Sequence, residues 1–112
     1  MEDNSQEISG INIISIEGSI DALNANKIEQ ELISQINSGS NRLILNFSKV
    51  NFLSSAGLRI ILQVLKETRS QGGDLRIACA QPSVFKSLEL SGFTSILKYF
   101  PTLDAAILSY SE

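Results

Sequence analysis

The hydrophobic period of this chain switches repeatedly along its length, and that alternation restricts the fold more than any other feature. "INIISIEGSI", residues 11–20, is β-branched and rich in isoleucine, which predicts a strand, a turn or bulge at Gly18 and a short second strand. From Asp21 the spacing lengthens: Ala25, Ile28, Leu32 and Ile36 predict a helix from about Leu23 to Ser38, ended by Gly39. "RLILNF" is a continuous apolar run, the signature of a strand covered on both faces, and "SKVNFL" after it reads as a loop. Leu58, Ile61, Leu62 and Leu65 then mark a second helix, broken by "QGGD". "LRIACA" predicts a strand, "SVFKSLELSG" a short helix that starts at Pro82 and stops at Gly92, "SILKYF" a last strand and "TLDAAILSY" a last helix. Strands alternating with helices imply an α/β domain built on a mixed, largely parallel sheet with crossover helices.

With 112 residues, 43% of them hydrophobic, the chain is sized for one domain with a core of its own. The polar residues 1–7 are expected to form a flexible lead-in and residues 8–112 the domain. No apolar stretch approaches the ~20 residues of a membrane helix, and the N-terminus lacks a basic start and an apolar signal core, so a cytoplasmic location without membrane contact is expected.

The residue inventory narrows the chemistry. Histidine is absent, which removes Ser-His-Asp and Cys-His pairs and the commonest zinc ligand. The single cysteine, Cys79, lies in an apolar run, where it reads as a small buried hydrophobe. A serine nucleophile at Ser54 or Ser55 would lack the Gly-x-Ser-x-Gly elbow as well as a histidine base. No catalytic residue, cofactor or metal is therefore expected. The net charge of −3 is uneven: residues 1–31 hold seven acids against Lys27, and residues 32–112 hold eight scattered bases against five acids. With no basic cluster and few aromatics, protein partners fit better than nucleic acid.

One stretch stands apart. "FLSSAGLRIIL", Phe52 to Leu62, sets two hydroxyls and two nearly bare positions at the start of a helix. Either Ser54 or Ser55 can cap that helix by accepting one of its free N–H groups. The positions three residues after them are Gly57 and Leu58, so no capping box consumes the remaining donors. An open helix N-terminus favours negative charge. A serine on the loop just before it is well placed to carry a phosphate, which Arg59, four residues after Ser55, can pair.

Here the sequence resembles the STAS domains, and among them the bacterial anti-sigma factor antagonists, also called anti-anti-sigma factors. The resemblance runs from about Gly18 to Leu108, through "GSID", "LILNFSKVNFLSSAGLRIIL", "QGGDLRIA", "PSVFKSLELSGF" and "FPTLDAAI" in the family's order and spacing. It implies a single domain of roughly five strands and about four helices, with no enzymatic activity of its own. In that family an unphosphorylated antagonist binds an anti-sigma factor, often itself a serine kinase using ATP. Phosphorylation ends the complex, and a metal-dependent serine phosphatase restores it. The family's site is commonly Asp-Ser-Ser/Thr-Gly. Aligned on Gly57 and Leu58, Ser54 stands where that aspartate would be, Ser55 at the phosphorylated serine and Ala56 at the next hydroxyl position. Asp21 matches an aspartate in the neighbouring loop, where it either shapes the partner surface or caps the first helix. Partner binding is thus expected at Asp21, Ser54, Ala56, Gly57 and Arg59, with Ala56 and Gly57 left bare for close approach. The alternative within the same fold is a fixed STAS interaction subunit of a transporter or signalling scaffold that is never phosphorylated.

Overall fold

A computed structural model describes residues 5–111. Among the described residues the elements run β1 (Ser5–Ile8), β2 (Ile11–Ile20), α1 (Ala25–Asn37), β3 (Arg42–Leu53), α2 (Ser55–Ser70), β4 (Asp74–Ala78), α3 (Pro82–Leu90), a 3-10 turn (Phe93–Ser95), β5 (Lys98–Phe100) and α4 (Leu103–Ser109). The strands lie side by side in chain order, β1 antiparallel to β2 and the rest parallel, which is the mixed sheet expected. Each crossover steps one strand further in the same direction. Because such crossovers share one hand, their helices fall on one face.

Side-chain alternation divides the core accordingly. Leu43, Leu45 and Phe47 of β3, with Leu75 and Ile77 of β4, point to the face covered by α1, α2 and α3. Ile11, Ile13, Ile44 and Ala78 point the other way, against Ala106 of α4. β3 is thus covered on both faces over its first half, as its unbroken apolar run predicts.

Three expectations need correction. Residues 5–7, taken as part of a flexible lead-in, belong to β1 and pair with residues 12–14 of β2; residues 1–4 lie outside the described residues. Residues 11–20 make one continuous strand rather than two, although the irregularity expected at Gly18 is present between Gly18 and Ser19, with another between Ser15 and Glu17. "SKVNFL" is no loop, because β3 continues to Leu53. At each irregularity β3 contributes one residue more than β2, and Asn46 Oδ1 braces the first by accepting from the Ser48 N–H at 3.0 Å. Such bulges shift the inward phase of a strand. Phe47, Val50 and Leu53 are all buried at a spacing of three, which resembles no strand pattern. Beyond residue 14 of β2 and residue 46 of β3 these two strands pair only with each other, forming a ribbon that leads to the helix start at Ser54.

The C-terminal helix is fastened by a polar cluster. Arg76, almost fully buried, donates to Asp74 at 3.3 Å and to Ser109 Oγ, and its guanidinium lies 3.8 Å from the centre of the Tyr110 ring. The Tyr110 hydroxyl sits 2.8 Å from the Leu43 carbonyl and 2.7 Å from that of Asp74, sharing its one proton between adjacent strands. Burial drives the phenol well above its ordinary range, against the pull of the Arg76 charge. The folded state therefore holds this proton when the unfolded chain has lost it. Stability on this account is full below the unfolded value of ~10 and declines as pH rises past it. Tyr110→Phe is expected to lose ~1 kcal/mol at neutral pH and to flatten the alkaline decline, both read from urea unfolding at pH 7 and above pH 10.

Candidate functional site

β2 and β3 are parallel neighbours, so the segments leaving their C-terminal ends emerge side by side. This places the Asp21 turn next to the start of α2, although the two are more than thirty residues apart in sequence. The link is direct: the Ser54 N–H donates to the Ile20 carbonyl at 2.9 Å, one step past the Ile20–Leu53 register pair.

Within "SSAG" the two serines have separate roles. Ser54 is the N-cap of α2, in extended backbone, and its half-buried hydroxyl accepts the Gly57 N–H at 3.1 Å. Ser55 is the first helical residue; it is exposed and its hydroxyl has no partner among the described residues. The first turn of α2 holds no acidic residue, so the positive end of a 16-residue helix dipole is uncompensated where Ser55 stands. Arg59, one turn further along, is exposed and forms no ion pair among the described residues. Ser54→Ala is expected to lower stability by ~1 kcal/mol through loss of the cap, whereas Ser54→Asp, which restores an acceptor, keeps it; thermal unfolding of both variants measures the difference.

The expectation that Ala56 and Gly57 lie bare for a partner holds poorly. Gly57 is buried, and a Cβ there would meet Ile20 Cγ2 and Leu53 Cδ1, each at 2.8 Å, and the Ile20 carbonyl oxygen at 3.0 Å. Its bareness lets the helix start press against the ends of β2 and β3. Ala56 is half-buried against the main core.

Asp21 is held by more bonds than sequence reasoning foresaw. Its carboxylate accepts the Ser19 hydroxyl at 2.8 Å and the backbone N–H groups of Leu23 at 3.0 Å and Asn24 at 3.3 Å. In return its own N–H donates to Asn24 Oδ1 at 2.9 Å, and the Asn24 amide donates to the Ser19 carbonyl at 2.8 Å. Asp21 and Asn24 thus form a reciprocal cap on the turn leading into α1; their three-residue spacing was the available signal for it. The Ser19 hydroxyl, and after it the two backbone N–H groups, hold the carboxyl below the ordinary range in spite of partial burial, so Asp21 is ionised at neutral pH. Asp21 therefore caps the turn before α1, whose own N-cap Asn24 makes no side-chain cap bond, and holds a negative charge on the turn that lies next to the start of α2.

A mixed α/β sheet that brings a turn-held carboxylate and an exposed serine to one helix start defines a small domain whose distinctive chemistry lies on its surface. The STAS domain profile matches residues 4–106, and the chain belongs to that family. It is 34% identical over 104 residues to BtrV of Bordetella bronchiseptica, named as an anti-sigma factor antagonist, covering 93% of this chain and 90% of the relative. A crystal structure of an anti-sigma factor antagonist from Thermotoga maritima superposes with a TM-score of 0.92 at 22% identity, over 96% of this chain and 93% of that one. The Bacillus cell fate determinant SpoIIAA in its phosphorylated form has the same fold, with a TM-score of 0.72 at 20% identity over 95% and 96% of the two chains.

Proposed function

We propose that this chain is an anti-sigma factor antagonist whose binding is switched by phosphorylation of Ser55. Unphosphorylated, it holds an anti-sigma factor across the surface made by Asp21, Ser54, Ser55, Ala56 and Arg59, and so frees a sigma factor. A serine kinase using ATP, the anti-sigma factor itself or a companion, modifies Ser55 and ends the complex; a metal-dependent serine phosphatase reverses it. The chain supplies a docking surface and an acceptor hydroxyl and performs no catalysis.

The observation that carries this reading is the division of labour between the serines. Ser54 gives its acceptor to the helix cap, which leaves Ser55 as the exposed hydroxyl, unbonded among the described residues, at a helix N-terminus with no acid in its first turn. Phosphate there gains the helix dipole and lies within a turn of Arg59, so modification is compatible with the folded domain. The name of BtrV and the phosphorylated state of SpoIIAA support the same reading.

The test is incubation with ATP and the cell's own serine kinases, followed by peptide mass spectrometry. Phosphate is expected on Ser55 and is expected to disappear in Ser55→Ala. A chain that binds its partner but stays unmodified would favour the fixed-subunit alternative.

A further inference from the structure

Among the described residues, five large apolar side chains are exposed: Leu23, Phe52, Leu90, Ile96 and Leu108. Two of them lie close along the chain to the residues of the site, Phe52 two residues before Ser54 and Leu23 two after Asp21. Phe52, 57% exposed, is turned outward by the second bulge of β3, and its register partner is Ser19. The Ser19 hydroxyl donates to Asp21, whose carboxylate accepts the Leu23 N–H; Leu23 itself is 96% exposed. Backbone register and hydrogen bonds thus link Phe52 through Ser19 and Asp21 to Leu23, with an ionised carboxylate along the way.

We propose that Leu23 and Phe52 are the apolar anchors by which this surface holds its anti-sigma factor. The inference rests on the function proposed above and adds the residues that supply its affinity. Large side chains presented by a pre-organised backbone bind at low entropic cost. The Leu23 turn meets that condition, since the Asp21 carboxylate accepts three hydrogen bonds and the Asn24 side chain makes two more. Charge selects the occupant. Asp21 calls for a base on the partner, Arg59, without an ion pair among the described residues, calls for an acid, and each anchor calls for an apolar socket. A folded protein face supplies all three. An anionic lipid surface supplies none of the bases, and residues 1–31, with seven acids against one base, would be repelled by it.

The experiment uses the whole unphosphorylated chain and each anti-sigma factor of its own cell, purified in turn, with affinities from titration calorimetry. Leu23→Ser and Phe52→Ser are each expected to weaken binding by about tenfold or more, as anchors do. Leu108→Ser removes a side chain on α4 about as exposed as that of Phe52 and is expected to leave affinity unchanged. Because Leu23 is almost wholly exposed and its bond to Asp21 is made by the backbone, Leu23→Ser keeps the fold, which a thermal melt verifies. If the wild-type chain binds and both anchor variants bind equally well, the inference is overturned while the function stands. If the wild-type chain binds none of these factors, the function falls and the inference with it.

Discussion

Gly73→Ala is expected to be the most damaging single-methyl change in the domain. A Cβ at Gly73 would lie 1.7 Å from the Asn41 carbonyl oxygen and 2.6 Å from its carbon. Both are backbone atoms, so no side-chain rotation relieves the overlap. The Asn41 carbonyl cannot retreat freely, because it accepts the Asp74 N–H at 2.9 Å at the first rung between β3 and β4. Gly73 is equally tied: its N–H donates to the Thr68 carbonyl at 2.9 Å while the Gly72 N–H donates to Arg69 at 3.1 Å, the paired bonds that close α2 around left-handed Gly72. Accommodating the methyl means opening either the helix end or the strand pair. We expect a loss of at least ~3 kcal/mol, beyond ordinary overpacking and a large share of a small domain's stability. Urea unfolding measures it. Gly57→Ala is the milder comparison, since its closest contacts are 2.8 Å and two of the three are with side-chain atoms, against 1.7 Å to backbone at Gly73. A Gly73→Ala midpoint equal to that of Gly57→Ala would refute the account.

The contrast between these glycines also shows what the sequence made legible. Helices announced themselves because Ala25, Ile28, Leu32 and Ile36, and the set from Leu58 to Leu65, keep one period over several turns. The second half of β3 did not, because two bulges change its phase and leave Phe47, Val50 and Leu53 inward at intervals of three. β1 was missed for a different reason. An edge strand with polar "SQEI" has no apolar alternation, and its place depends on the Ser9–Gly10 turn, where both residues have positive φ as hairpins of this kind require. That Ser-Gly pair was a readable turn signal. At the site, the serines, Asp21 and Arg59 were visible as residue types, but which serine caps and which stays free is a matter of backbone geometry. Leu23 and Phe52 stayed hidden because exposure of an apolar side chain is decided by the strand ends around it.

Ser55→Ala and Ser55→Asp should separate by more than tenfold in affinity for the anti-sigma partner, the alanine variant binding persistently and the aspartate variant weakly. The sign follows from where the charge sits. A carboxylate at the first position of α2 meets a helix end with no acid in its first turn, so it stabilises the folded chain, by ~0.3–1 kcal/mol, instead of unfolding it. Loss of binding then cannot be blamed on a damaged domain. Asp21 already contributes an ionised carboxylate to the proposed docking surface, so a second anion concentrates negative charge there. If that charge lies ~4 Å from a partner carboxylate, the repulsion at an effective dielectric of ~20 is roughly 4 kcal/mol, and even half of it weakens binding more than tenfold. Phosphate carries about −1.5 to −2 charge and should act more strongly than aspartate. Arg59 sets a further distinction: pairing the new anion, it would draw charge back towards the helix, so Ser55→Asp in an Arg59→Ala background is expected to bind more weakly still. Calorimetric titration of the three variants decides the matter, and equal affinities for Ser55→Ala and Ser55→Asp would rule out an electrostatic switch at this position.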